Sequence, residues 1–260
     1  MLKVERQDKI TEICALRGTA TVHEIASTLG VSEMTVRRDL MELADEGRVI
    51  RFHGGAKIVE DAHGKSLVRE ASRLEKRLRN ASKKLCVARA AAELVEEGDT
   101  VFLGSSTTIE LMAQRLPPVG LRVVTNSLPV FNLFADDEEH EVILVGGTYR
   151  ARTGAFGGPL AEEMLSSLGF DKAFIGVNGI LDDSLFTSNA EPGRLQHLAF
   201  DRAAERYVLA DSSKMGVRDF YCFYSLRNVD AVVVDPGVSA DDLLSLEKHT
   251  RVICPRENTE

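Results

Sequence analysis

No stretch of the 260-residue sequence approaches the roughly 18 consecutive apolar residues that a membrane-spanning helix needs. An apolar signal core is also missing from Met1-Leu2-Lys3-Val4-Glu5-Arg6-Gln7-Asp8, so export is not expected and the chain reads as cytoplasmic. The four cysteines (Cys14, Cys86, Cys222 and Cys254) lie far apart with no CxxC pair. They read as buried or incidental thiols in a reducing compartment. The six histidines (His23, His53, His63, His140, His197 and His249) form no i, i+4 pair and do not fall beside cysteines at ligand spacing, so no metal site and no cofactor is expected. Compositional bias is absent too: 44% hydrophobic and 28% charged residues describe an ordinary globular chain, with room for one large domain or two of common size.

A net charge of −8 excludes a generally sticky basic protein, but the charge is unevenly distributed. Residues 1–60 hold nine basic and ten acidic side chains, net −1; residues 61–89 hold nine and three, net +6; residues 90–260 hold fourteen and twenty-seven, net −13. The acidic part would be repelled by phosphate backbones, so nucleic acid, if bound, belongs to the head, helped by the basic connector.

In the head, residues 6–17 place Ile10, Ile13, Cys14 and Leu16 at helical spacing, with Gly18 as a stop. Thr21 and Glu24 fit a capping box in front of the apolar stripe Val22, Ile25 and Leu29. Gly30-Val31 is a tight turn, and Ser32 caps a third helix over roughly 33–46, ended by Gly47. Val36, Leu40 and Leu43 define its core side, which turns Met34, Arg38 and Met41 outward, flanked by Thr35 and Arg37. Two short helices, a glycine turn and a third helix with Thr and Arg near its start match a helix-turn-helix. Taken alone, Arg37 and Arg38 read as a solvated pair balanced by Asp39 and Glu42; the helix–turn–helix spacing around them turns the reading toward DNA. The following Arg48-Val49-Ile50-Arg51-Phe52-His53-Gly54-Gly55-Ala56-Lys57-Ile58 reads as a hairpin, a wing whose three cations and no acid suit backbone phosphates or plain solvation. The division expected is a head over 1–58, a basic linker over 59–80 that touches DNA phosphates or is merely solvated, and a second domain over 81–260. Ser82 is expected to cap a helix that runs to Glu97.

Beyond Gly98, β-like runs at Thr100–Leu103, Leu121–Thr125, Glu141–Val145, Lys172–Val177, Arg206–Ala210, Ala231–Asp235 and Arg251–Cys254 alternate with helical stretches. These include Ile109–Leu116, Leu128–Ala135, Ala161–Leu168, Arg194–Glu205 and Ala240–Lys248. That pattern predicts an α/β domain with a mostly parallel, Rossmann-like sheet covered on both faces. Ligands of such sheets sit beyond the strands' carboxyl ends. There the sequence reads Gly104-Ser105-Ser106-Thr107-Thr108, then Thr125-Asn126-Ser127, then Gly146-Gly147-Thr148 with Arg150 and Arg152 nearby, then Asn178-Gly179, then Asp211-Ser212-Ser213-Lys214. Small residues, hydroxyls and helix starts are compatible with phosphate. Each loop alone is a weak signal, and Gly104–Thr108 by itself reads first as a capped helix start, but together they favour a small phosphorylated, hydroxyl-rich ligand.

The segment VSEMTVRRDLMELADEGRVIRFHGGA, residues 31–56, closely resembles the signature of DeoR-type bacterial transcriptional regulators, and the resemblance extends over essentially the whole chain. It implies a winged helix-turn-helix with Ser32, Thr35, Arg37 and Arg38 on the reading helix and Arg51, His53 and Lys57 at the wing. It implies a sensor domain similar in fold to ribose-5-phosphate isomerase and CoA-transferase-like proteins. In that domain Gly104, Ser105, Ser106, Thr107 and Thr108 would cradle phosphate, and Thr125, Asn126, Ser127, Gly146 and Gly147 would line the pocket. Lys214 would meet phosphate or sugar oxygen, with Glu191 and Asp211 as hydroxyl acceptors. At Asn189-Ala190-Glu191-Pro192-Gly193 the chain departs from the family pattern, which continues more plainly into a helix. The expected function is a sequence-specific regulator of sugar-metabolism genes, a repressor released by a phosphorylated sugar. Its partners would be double-stranded operator DNA and further copies of itself, as a dimer or tetramer, with no membrane partner. The alternative is a phosphosugar isomerase-like enzyme carrying a DNA-binding head, built on Glu191, Asp211 and Lys214 as acid–base groups.

Overall fold

The computed structural model describes residues 6–7, 9–11, 13–14, 19–45, 49–52, 54–58 and 73–255. Gly18 and Gly47 as helix stops, the wing residues Arg48 and His53, and the connector through residue 72 lie outside them. The chain divides into two compact units, Met1–Arg69 and Glu70–Glu260.

In the first unit the described residues between 6 and 14 are helical. They are followed by β1 (Thr19–Thr21), α1 (Val22–Leu29), α2 (Glu33–Asp45), β2 (Val49–Phe52) and β3 (Gly55–Ile58). The capping box is formed: Thr21 accepts from the Glu24 N–H while Glu24 accepts from the Thr21 N–H. Gly30 at φ 65° ends α1. Ile10, Cys14, Ile25, Val36, Leu40 and Leu43 close a small core, in line with the helical spacing. The hairpin β2–β3 is present, and β1 adds to it antiparallel in the order β1-β3-β2. Sequence patterning missed β1, because three residues ending in a helix cap carry no alternation to detect.

The second unit opens with α3 (Arg73–Leu78) and α4 (Ala81–Ala92). The chain then runs through β4 (Thr100–Leu103), α5 (Thr107–Ala113), β5 (Arg122–Thr125), α6 (Leu128–Phe134), β6 (Glu141–Leu144), β7 (Thr148–Arg150) and β8 (Ala155–Gly157). It continues with α7 (Pro159–Ser166), β9 (Phe170–Gly176), β10 (Gly179–Leu181), β11 (Ser184–Thr187), α8 (Ala190–Asp201) and β12 (Ala203–Leu209). It ends with β13 (Tyr221–Ser225), β14 (Ala231–Val233), α9 (Ala240–Glu247) and β15 (Arg251–Ile253). All seven expected strands join one sheet, order β15-β14-β12-β9-β4-β5-β6, and every pairing is parallel.

Alternate side chains leave opposite faces of a strand, and both faces here are apolar. Phe102, Ile175 and Val208 pack on one side with Leu165, Leu195 and Phe200 from α7 and α8. Val101, Leu103, Phe174 and Leu209 pack on the other with Val87, Ile109 and Val130 from α4, α5 and α6. This explains the near-continuous Val/Ile/Leu runs. Truncating a fully buried Phe such as Phe174, stacked on Tyr207 at 5.0 Å between ring centroids, would cost roughly 3–5 kcal/mol.

Several boundaries differ from expectation. The α4 helix starts at Ala81, so Ser82 lies inside it; its N-cap is Asn80, in the left-handed conformation with no side-chain cap bond. The Asn80 amide is committed to Asp211 and Ser213 instead. Residues 73–80, expected as linker, are packed within the second unit, where Arg73 reaches Glu110 and the Arg73 N–H bonds the Arg152 carbonyl. Two small antiparallel sheets, β7-β8 and β10-β11-β13, were not foreseen.

Candidate functional site

On the head, α2 presents Arg37 and Arg38 to solvent, as the helical phase requires. The acids expected to balance them point elsewhere. Asp39 is buried and accepts from Arg6 Nε at 2.5 Å and Nη2 at 3.2 Å, and Glu42 accepts from Gln7 at 2.6 Å. Arg37 approaches Glu33 at 3.4 Å, whereas Arg38 has no carboxylate partner among the described residues. Ser32 Oγ accepts from the Thr35 N–H at 3.2 Å and lies 2.9 Å from Thr35 Oγ1, so both hydroxyls serve the start of α2. Arg51 and Lys57, on the paired strands of the wing, are also without carboxylate partners among the described residues. His53 lies outside those residues.

In the second unit the chain winds outward from β4 through β5 to β6. It then returns to β9 on the other side of β4 and winds the opposite way through β12, β14 and β15. The reversal leaves a crevice beyond the carboxyl ends of β4 and β9, where ligands of open α/β sheets bind. A cavity of about 570 Å³ opens there. Its wall takes Ser105, Ser106, Thr107 and Thr108 from the β4 end, Asn178 from the β9 end, and Asp211 and Lys214 from the β12 end. A Cβ on Gly176 would run into the Ser106 side chain, so glycine there lets the two strand ends meet. Ser106 caps α5 by accepting from the Ile109 N–H at 3.1 Å; the first helical N–H groups have no partner within the helix and carry its positive dipole end.

The expected pocket residues do not all converge. Asn126 and Glu191 are in the wall with those above, but Gly104, Thr125, Ser127, Gly146 and Gly147 are not. Three of these are used structurally. The Gly104 N–H bonds the Phe174 carbonyl at 3.0 Å. Buried Thr125 donates to the Leu103 carbonyl at 2.6 Å and accepts from the Ser127 N–H. Ser127 caps α6. Polar residues after a strand look alike in sequence whether they cap, brace or bind.

Charge decides the character of the crevice. Six basic and three acidic residues line it, within a chain of net −8. All three acids are engaged. Glu110 holds Arg73 at 2.6 and 2.8 Å. Glu191 holds Arg150 through two bonds, which keep its carboxyl below the usual range. Asp211 accepts from Asn80 at 3.0 Å and from Ser213 through both N–H and hydroxyl. Lys84 and Lys214 form no salt bridge among the described residues, although the charge of Asp211 attracts both. Buried Lys84 donates to the Lys76 carbonyl and to Thr107 Oγ1 at 3.1 Å, and desolvation pushes its ammonium down to about 8. Desolvation lowers Lys214 as well. Patterning passed over Arg73 and Lys84, because a cation in a basic helix reads as solvated. For Lys84 the signal was there: its helix packs on the sheet, which buries one flank.

Pro192 sits in the first turn of α8, where its missing N–H costs no helical bond, so the helix starts smoothly at Ala190. Gly193 admits the ring of Tyr221, which any Cβ would strike.

Residues 6–62 match the DeoR-like helix-turn-helix domain and residues 79–236 the DeoR C-terminal sensor domain. The protein belongs to the DeoR family. This DeoR protein is 41% identical over 255 residues to the lactose phosphotransferase system repressor of Streptococcus mutans serotype c, a match covering 97% of this chain and 100% of the relative. It is 39% identical over 237 residues to the repressor of the same name from Staphylococcus epidermidis, covering 90% and 93%. Among solved structures, ribose 5-phosphate isomerase A of Methanocaldococcus jannaschii is similar over 52% of this chain and 55% of that one, with 21% identity and a TM-score of 0.39. No helix among the described residues is long and apolar enough to cross a membrane.

Proposed function

We propose that this DeoR protein represses sugar-metabolism genes in the cytoplasm and releases its operator when a phosphorylated sugar fills the crevice of the sensor domain. Two ammonium groups that form no salt bridge among the described residues, Lys84 and Lys214, carry this reading, with Asp211 the nearby acid that attracts both. They face a cavity that already holds hydroxyls and a helix start, inside a domain that is otherwise strongly acidic. Asp211 is one acid facing two ammonium groups; a dianionic ligand would supply the rest of the negative charge, and Ser105, Ser106, Thr107, Thr108, Asn126 and Asn178 would meet its remaining oxygens. The relatives' role as repressors of a sugar phosphotransferase system supports both the sign of control and the effector class.

The head works as a homo-oligomer, dimer or tetramer, because one reading helix contacts too few bases for useful specificity. Ser32 and Thr35 set the start of that helix, Arg37 and Arg38 meet bases or phosphates, and Arg51, His53 and Lys57 meet the flanking backbone. The domain regulates rather than catalyses. An isomerase needs a carboxylate free to take a proton, whereas Glu110, Glu191 and Asp211 are all held by partners.

The test is a thermal-shift panel of phosphorylated sugars against the same sugars without phosphate. A true effector at a hundred times its Kd stabilises the fold by about 2.7 kcal/mol. Stabilisation by a phosphosugar, with no turnover of it, is the expected result; indifference to every phosphosugar refutes the effector class.

A further inference from the structure

Met34, Arg38 and Met41 follow one another at i, i+4 and i+7 on α2 and share one stripe, opposite the buried Val36, Leu40 and Leu43. Met34 is 75% exposed and Met41 50% exposed, so both leave apolar surface in water on a helix whose other outward groups are polar. The hydroxyls of Ser32 and Thr35 are occupied with each other and with the helix start, and Arg37 lies beside Glu33. In the first two turns this leaves Met34 and Arg38 open to a base edge. The major groove presents one apolar feature, the thymine 5-methyl group, and its best arginine acceptor is guanine O6/N7. Four residues of helix rise roughly 6 Å, close to two base steps of about 3.4 Å each.

We propose that Met34 reads a thymine methyl lying within two base pairs of the guanine bound by Arg38, with Met41 extending the apolar contact along the same groove. The exposed methionine is then a specificity determinant, discriminating thymine from cytosine where no hydrogen bond does. The inference rests on the DNA-binding reading above.

The test begins with selection of binding sites from a random duplex pool by the full-length protein. Fluorescence anisotropy is then measured on the selected duplex with each thymine replaced singly by uracil, which removes only the methyl. Wild type is expected to lose about fourfold in affinity at one position near a guanine, the worth of one buried methyl. Met34→Ala should bind the thymine duplex at least that much more weakly and no longer respond to uracil there. Met34→Leu should still respond, which shows that apolar contact is what is read. Selection of a site whose every thymine tolerates uracil, or a Met34→Ala protein as uracil-sensitive as wild type, overturns the proposal. Failure to enrich any sequence overturns the DNA-binding reading itself, and this proposal with it.

Discussion

Arg73 and Glu110 clasp each other through two parallel bonds, Nε to Oε1 at 2.6 Å and Nη2 to Oε2 at 2.8 Å, in the wall of the sensor crevice. Glu110 is buried while 35% of the Arg73 side chain stays open to water. Removing the arginine strands a buried carboxylate. Arg73→Ala should lower stability by roughly 2 kcal/mol, below the ~3–5 kcal/mol of a fully buried pair because water screens one partner. Adding Glu110→Gln should recover part of the loss. Urea unfolding monitored by circular dichroism checks both, and an unchanged midpoint for Arg73→Ala would show the pair to be energetically idle.

Lys84 gives the crevice a pH dependence. Its ammonium, lowered to about 8 by desolvation, is charged below that pH and neutral above it. A bound phosphate favours the charged form. Effector affinity should therefore fall as pH rises from 7.5 to 9.5, by up to about tenfold per pH unit once past pH 8. Without ligand the sign reverses. The folded pKa lies below that of the unfolded chain, so burial of this charge weakens the fold below about pH 8, and the penalty is relieved between about pH 8 and 10. Lys84→Met should bind effector weakly and with a shallower profile over that range, since only Lys214, also lowered by desolvation, is left to titrate against the ligand. Calorimetric titrations at three pH values separate the cases; a mutant profile with the same slope as the wild type's would exclude Lys84 from the ligand's reach.

Arg38 stands on the exposed stripe of α2 with no acid to satisfy among the described residues. Arg38→Ala should weaken operator binding by roughly 5–150-fold, the range for one bidentate base contact, and leave thermal stabilisation by effector as in wild type. Retained operator affinity in a gel-shift titration would remove Arg38 from the interface.

Lys214 makes the complementary case. Lys214→Ala should bind operator as wild type does and release it only at much higher phosphosugar concentration. A dose–response for release that overlays wild type would contradict the role given to this residue.

The sheet was legible because each of its strands is buried on both faces. Val101, Phe102 and Leu103 face alternate clusters, so no polar residue interrupts the run. The β7-β8 hairpin was illegible for the opposite reason: Thr148, Tyr149 and Arg150 are all exposed, and nothing in their pattern marks a strand. On the head, the turn and the phase of α2 were readable from Val36, Leu40 and Leu43, whereas the burial of Asp39 against Arg6 was not. That pairing joins residues 33 positions apart, and only the folded core brings them together. The crevice was half legible. Ser105 to Thr108 fall where strand-end reasoning puts them, but Thr125 and Ser127 turn inward to brace the backbone. Lys84 enters from α4, ahead of β4, the first strand of the large sheet.

The measurement that bears most directly on the account is the affinity of the full-length protein for its selected operator duplex, with and without a saturating phosphosugar identified by thermal shift. Coupling between crevice and head predicts that Kd rises with the sugar phosphate, by about 5–150-fold for a coupling of roughly 1–3 kcal/mol, and stays put with the unphosphorylated sugar. A phosphosugar that stabilises the protein yet leaves the operator Kd unchanged would contradict it.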